Sequence, residues 1–371
     1  MKIGGRETRT IVVSADGHAV EALDQTRLPF EVAWARLSRL KDAVEAIRTM
    51  VVRGAPLIGV TGAYGLWLAM KEDPSDASLA RAREALVGAR PTAVNLAWAV
   101  DRAAAAVAGV APAQRADVAR RAAGELADDD VATNLQIGAF GRALLERSWD
   151  AVDRARPLRV LTHCNAGCLA TVDGGTALAP VYAAAAVGVD VHVIVDETRP
   201  RNQGAALTAF ELREAGVPAT VVADNASGHL LQRGEIDVVI VGADRVARNG
   251  DVANKIGTYL KALAADAAGV PFYVACPVST IDPAVADGVA GIAIERRDAR
   301  EVTHVRGRRA DGTIDEVQVV PDGVAVDNPA FDVTPSALVT ALITEMGVFS
   351  ADVDGIDELY EDIEGLSGEA R

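Results

Sequence analysis

Beyond Arg156-Pro157 the chain takes up a rhythm that few architectures accommodate. Segments at 158–162, 191–195, 217–222, 236–241 and 270–275 are short and apolar throughout. Helical stretches separate them, one running to about 187 and others over 204–215, 226–233 and 254–268. A strand that is apolar on both faces must be covered on both faces. Alternating helices supply that cover, so the pattern predicts a doubly wound, Rossmann-like parallel sheet. A further helix is expected at 335–346, and the acidic end, 351–371, reads as a frayed tail. No G-x-G-x-x-G follows the first strand and no G-x-x-x-x-G-K-[ST] occurs. The sheet type alone therefore assigns no ligand.

Residues 1–150 have a different character. After a short β start at 10–14 and an Asp16-Gly17 turn come helix-like stretches at 39–51, 56–71, 76–88, 93–108 and 113–147, punctuated by Pro56, Pro74, Pro91 and Pro112. The expected organisation is an α/β chain: a small, mainly helical N-terminal domain (1–150), a Rossmann-like catalytic domain (151–350) and the acidic tail. The longest uncharged run, residues 54–70, is interrupted by four glycines and is too short for the ~20 residues that span a bilayer. It reads as a buried helix. The polar opening MKIGGRETRT carries no leader pattern, so a cytoplasmic location is expected.

Charge narrows the function. With 37 basic against 52 acidic residues the net charge is −15, which argues against nucleic acid or an anionic membrane as the main partner. The shortage of lysine fits a high-salt cytoplasm and GC-rich coding equally. Cys164, Cys168 and Cys276 are an odd number and read as reduced thiols. Without a Cys or His pair to complete a zinc pattern, no metal and no cofactor are expected. DVDGID resembles an EF-hand opening but has glycine where a ligand belongs.

In open α/β sheets ligands bind beyond the carboxyl ends of the strands. His163-Cys164-Asn165 follows the first strand; Asp196-Glu197-Thr198-Arg199 and then Gln203-Gly204 follow the second. Asp244-Arg245 and Asn254-Lys255 follow the fourth, and Cys276-Pro277 the fifth. Polar clusters after so many strands point to one site. Cys164 reads either as a small packing residue or as a thiol activated at a helix start. Asp244 reads as a cap or as a catalytic carboxyl, since an unused carboxyl at a strand end is costly. Asn254 reads first as an N-cap, and with Lys255 as a phosphate site. His163 fits a structural and a catalytic role equally. Arg199, Arg201 and Arg245 are expected to pair with Asp196, Glu197 and Asp251. In the first domain Arg53-Gly54-Ala55-Pro56 opens a helix and Arg90 precedes another, an arrangement suited to bidentate phosphate binding, although each arginine alone reads as a surface residue. Together with Lys255 they suggest a phosphorylated substrate held between two domains.

The stretches VVRGAPLIGV, RPTAVNLAWAVDR, LTHCNAGCLAT, VDETRPRNQGAALTAFEL, VGADRVARNGDVANKIGTYLKALAA and PFYVACPVSTID closely resemble the methylthioribose-1-phosphate isomerase family, over residues 37–349. The resemblance implies a homodimeric enzyme that isomerises 5-methylthioribose 1-phosphate to 5-methylthioribulose 1-phosphate in methionine salvage. It places the catalytic pair on Cys164 and Asp244. It places substrate binding on Arg53, Gly54, Ala55, Arg90, Gln203, Asn254 and Lys255. The same superfamily holds ribose 1,5-bisphosphate isomerases and non-catalytic regulatory subunits of a translation-initiation exchange factor. Retention of Cys164 and Asp244 speaks against the regulatory class, and DETRPRNQGAALTAFEL with NGDVANKIGTY favours the methylthioribose member. The implied chemistry uses Asp244 as a neutral acid toward the ring oxygen and Cys164 to relay the C2 proton, with a hydride shift as the rival.

Overall fold

The computed structural model describes residues 1–369. Its main sheet has seven strands, in the spatial order Ala219–Val222, Val191–Asp196, Leu158–Thr162, Val238–Val241, Phe272–Ala275, Ala341–Ile343 and Val348–Phe349. All neighbours are parallel except the last pair. In chain order the parallel strands run 3-2-1-4-5-6, the doubly wound arrangement expected from their apolar sequences. The winding direction reverses between Leu158–Thr162 and Val238–Val241. A crevice therefore opens beyond the carboxyl ends of those two strands, directly ahead of Cys164 and Asp244.

The N-terminal part begins with an antiparallel sheet of Ile11–Val13, Val20–Leu23 and Trp34–Leu37, of which the sequence showed only the first hairpin. Five helices follow. Ala55–Glu72 is buried along nearly its whole length, as its uncharged sequence requires. A Cβ on Gly59 or Gly62 would sit 2.8 Å from the Asn95 carbonyl oxygen or 2.7 Å from a Leu96 methyl, so these glycines let the Val94–Val107 helix pack close. The long Pro112–Asp150 helix serves two cores. Ala119, Ala123 and Leu126 pack among the N-terminal helices, and Ile137 and Leu145 pack under the sheet.

A polar seam joins the N-terminal elements to the sheet. Asn95 Nδ2 donates to Ser279 and Thr280, Gln25 Nε2 donates to the Leu169 carbonyl and Arg245 donates to the Thr92 carbonyl. Arg53 donates to Asn165, once to its side chain and once, at 2.7 Å, to its carbonyl.

Several expectations are corrected. Residues 335–346 form no long helix: Phe331–Thr334 pairs with Val252–Lys255, and Ala341–Ile343 is the sixth parallel strand. A short apolar run has no period that separates helix from strand, and here pairing decided. The tail is not frayed. Val353–Glu369 is a helix that buries Ile356 and Leu359 completely, while the last two residues of the tail lie outside the described residues. The helix expected from 254 begins at Thr258, because Asn254 and Lys255 belong to a strand and Gly257, at φ +102°, turns the chain into the helix. No helix begins at Cys164. A single helical turn at Cys168–Ala170 and then Ala179–Ala186 replace the expected stretch. Among the described residues no helix is long and apolar enough to cross a membrane.

Candidate active site

Cys164 leaves the end of the first strand at φ +65°, a left-handed conformation costly to a residue with a side chain. Its N–H donates to Thr198 Oγ1 at 2.8 Å, and its carbonyl accepts from Thr208 Oγ1 at 2.7 Å. Its thiol lies 3.4 Å from Gln203 Oε1. Thr198 is itself at φ +65°, and Met50 and Asn202 nearby are also left-handed. Strain of this kind persists only where surrounding contacts impose it, and it concentrates at working sites. The activation expected from a helix start is absent, so the thiol's surroundings are a strained loop, Gln203 and two cations.

Those cations are Arg53 and Lys255. Both are buried. Among the described residues neither has a carboxylate partner: Arg53 meets only Asn165, and Lys255 Nζ meets the Ala330 carbonyl at 3.0 Å and the Phe331 ring at 4.6 Å. Burial pulls the Lys255 ammonium below its ordinary value, with Cys164 and Asp244 opposing that shift. Burial acts the same way on Arg53, against Cys164, Asp244 and Glu211. A guanidinium stays charged at any working pH, so for Arg53 the shift expresses the cost of burying that charge. Two buried cations without carboxylate partners leave positive charge that an anion would complement.

Asp244 enters from the fourth strand, its N–H bonded to the Ala253 carbonyl. Burial raises its carboxyl above the usual range, and Lys255, Arg90 and Arg53 pull it back. A carboxyl raised at a strand end beside cations suits a proton donor. Arg90 pairs with Glu295 at 3.2 Å, while its Nε is buried without a partner. Ala55, Arg90, Asp244 and Phe331 line a small cavity of about 30 Å³. Gly54, at φ +94°, lies so close to Ala170 that an added Cβ would stand 2.3 Å from the Ala170 carbonyl oxygen. Arg53 and Gln203 line an adjoining cleft of about 910 Å³, walled in part by Leu28, Met50 and Leu207.

Arg53 and Lys255 are both coupled to Cys164, Asp244 and Arg90, Gln203 stands at the Cys164 thiol, and Ala55, next to Gly54, shares the small cavity with Arg90 and Asp244. Asn254 is buried beside Lys255, its amide donating to Thr258 Oγ1 at 3.1 Å rather than capping a helix. His163 is fully buried between Asp196 Oδ2 at 2.9 Å and the Ile256 carbonyl at 2.8 Å, which makes it a strut between strand ends. The three spare arginines do not take the expected partners. Arg199 donates to the Val302 carbonyl, Arg201 pairs with Glu301 and Arg245 pairs with Asp282. Sequence reasoning placed Asn165 in the first strand-end cluster without a role and passed over Thr208, Glu211 and Phe331; an acid inside the apolar run Ala-Phe-Glu-Leu was the available signal for Glu211.

Among the described residues one trio, His163, Asp196 and Asp224, brings potential metal-ligating atoms within 4.8 Å of one another. Its place for a cation is already filled by donors. Lys261 Nζ stands 3.4 Å from Asp196 Oδ2, and Asp224 accepts the N–H groups of Thr198 and Arg199.

Residues 51–351 match the Initiation factor 2 subunit family. The methylthioribose-1-phosphate isomerase of Methylorubrum populi is 60% identical over 360 residues, covering 97% of this chain and 98% of its own. The chain belongs to the methylthioribose-1-phosphate isomerase family. Among solved structures, 5-methylthioribose 1-phosphate isomerase from Pyrococcus horikoshii superposes with a TM-score of 0.81 at 36% identity, covering 96% of each chain. The translation initiation factor eIF-2B delta subunit from A. fulgidus does so with 0.76 at 38% identity, covering 93% of this chain and 96% of its own. One fold thus carries two differently named functions, and the family's fold does not choose between them.

Proposed function

We propose that this protein isomerises 5-methylthioribose 1-phosphate to 5-methylthioribulose 1-phosphate, a step of methionine salvage. The observation that carries the reading is the pair of buried cations, Arg53 and Lys255, without carboxylate partners, coupled to Cys164 and Asp244. A regulatory subunit has no need of an anion site joined to a thiol and a raised carboxyl. The relatives' names agree with the reading.

Phosphate on the anomeric carbon prevents free ring opening, so the ring C–O bond must break with the phosphate retained. Asp244, whose carboxyl burial pushes upward, gives its proton to the ring oxygen as that bond breaks. Cys164 as thiolate takes the C2 proton, forming a C1–C2 enol, and returns it to C1; the C2 hydroxyl proton then restores Asp244 as C2 becomes a carbonyl. Arg53, Arg90 and Lys255 hold the phosphate, with Gly54, Ala55 and Asn254 shaping its seat. Gln203 orients the thiol. Leu28, Met50 and Leu207 offer the uncharged thioether an apolar wall. Besides Arg53, the arginines of that cleft are Arg27, Arg201 and Arg300, which pair with Glu31, Glu301 and Glu316, and Arg306, which donates to the Thr26 carbonyl.

The division into domains at about residue 150 and a homodimer belong to the same proposal. Separate apolar cores in the two parts support the first. Exposed Leu260 and Leu263 on the Thr258–Ala268 helix support the second.

The test assays the protein with methylthioribose 1-phosphate and ribose 1,5-bisphosphate under identical salt, alongside Cys164→Ser and Asp244→Asn. Each variant should lose ~10²–10⁴-fold in turnover while staying folded. A tenfold preference for the bisphosphate, about 1.4 kcal/mol, would overturn the substrate. Deuterium entering C1 from heavy water would exclude a hydride shift, and near-parental turnover in Cys164→Ser with no deuterium at C1 would overturn the proton relay.

A further inference from the structure

Glu211 lies on the Ala209–Ala215 helix, away from the crevice, and is 3% exposed. A Cβ on Gly167 would stand 1.7 Å from its Oε1, so the carboxyl is pressed against a glycine that leaves it just enough room. Two donors reach it: Asn165 Nδ2 at 2.7 Å and the Leu169 N–H at 3.2 Å. Asn165 Nδ2 also donates to Thr208 Oγ1 at 3.1 Å, whose hydroxyl donates onward to the Cys164 carbonyl. Asn165 Oδ1 is left to accept from Arg53.

Ionised, Glu211 accepts and cannot donate, and it acts with the Cys164 carbonyl, which accepts from Thr208, to hold the Asn165 amide with its NH₂ inward and its oxygen toward Arg53. We infer that Glu211 is a positioning residue that fixes the Asn165 amide, and through it aims the Arg53 guanidinium at the substrate anion. The inference rests on Arg53 being an anion ligand. Burial supports a dedicated role: it raises the Glu211 carboxyl to about 7, against the pull of the Leu169 and Asn165 hydrogen bonds and of Arg53. Cys168 and Tyr182 also face this carboxyl, and each is pushed up chiefly by burial. A carboxyl kept at such a cost to the fold is retained for something other than stability.

Glu211→Gln offers a clean perturbation. Its amide presents one acceptor and one donor where both neighbours donate, so either the Leu169 N–H or the Asn165 NH₂ meets a donor and Asn165 loses the charged acceptor that holds it toward Arg53. The probe is inorganic sulfate, whose charge does not change across the neutral range, titrated by thermal shift at pH 8 so that binding is read without turnover. Glu211→Gln should weaken sulfate about tenfold, the effect of losing a charge-assisted hydrogen bond, and raise KM for the sugar phosphate more than it lowers kcat. Its melting temperature without sulfate should not fall. The double variant with Arg53→Ala should bind sulfate no worse than Arg53→Ala alone.

Parental sulfate affinity in Glu211→Gln, or losses that multiply in the double variant, would overturn the relay. Parental affinity in Arg53→Ala would instead overturn the anion site, and the relay with it. Should Glu211→Gln not fold, Glu211→Asp retracts the acceptor by one methylene while keeping the charge, and parental sulfate affinity there would overturn the relay equally.

Discussion

Lys255→Met separates what the site needs from what the fold prefers. Lys255 is 7% exposed, and its ammonium has one carbonyl and one aromatic face for company. Its downward shift already combines the cost of burial with the attraction of Cys164 and Asp244, so the charged form is a net expense to the folded chain. Methionine fills a similar volume without the charge. Replacing buried charge by apolar side chains of like size gains about 1–4 kcal/mol; the lost hydrogen bond to Ala330 puts this case near 1 kcal/mol. At roughly 2.1 cal/mol/K per residue, 371 residues convert that to a rise in Tm of about 1 °C. Phosphate at a hundred times its dissociation constant should stabilise the parent by about 2.7 kcal/mol, or about 3 °C, and the variant hardly at all. Melting curves with and without phosphate should therefore cross: the variant higher when empty, the parent higher when loaded. A variant that melts below the empty parent would refute the claim that the charge is a cost. A variant still protected by phosphate would refute the site.

Gly54→Ala forces a Cβ against the Ala170 carbonyl at a left-handed φ; it should cost about 2 kcal/mol or more in urea unfolding and weaken substrate binding together. Leu359→Ala removes a fully buried side chain of the C-terminal helix and should cost about 3 kcal/mol, where a frayed tail would show nothing. The Glu211 carboxyl, at 4.5 when unfolded and about 7 in the fold, favours its protonated form in the native state. Its contribution is therefore greatest below pH 4.5 and is lost as pH rises through 7. Plotted as the difference between parent and Glu211→Gln, stability should decline over that window, and a flat difference would contradict it.

The sequence reads well where one physical demand dominates. Residues 55–70 must be a buried helix because an uncharged run with glycines at close contacts admits little else. The strand-end clusters fall at the reversal of the sheet because parallel winding leaves one crevice for them. It reads poorly where pairing partners lie far along the chain. Asn254 has N-cap chemistry, yet its strand is fixed by Asp332, opposite it in the register. The ribbon of His304–Arg308 and Ile314–Gln318 is mostly polar and shows no core-facing alternation, so nothing local announced it. Arg199 and Arg201 find Val302 and Glu301, about a hundred positions away, ahead of the acids beside them. Glu211 stood out in sequence only as an acid in an apolar run, because its link to Arg53 passes through Asn165, 46 positions away.

The seam between the N-terminal helices and the sheet is made of directional bonds, and the crevice is a gap left in it. Arg53 and Arg90 face that gap from one bank, Lys255 and Asp244 from the other. An anion lodged there would complete the joint as a keystone completes an arch, drawing both banks onto itself. Occupancy and cohesion then become one quantity observed twice. A change that opens the arch loosens the grip on the sugar phosphate to the extent that it populates the open joint, even from a position that never meets the ligand.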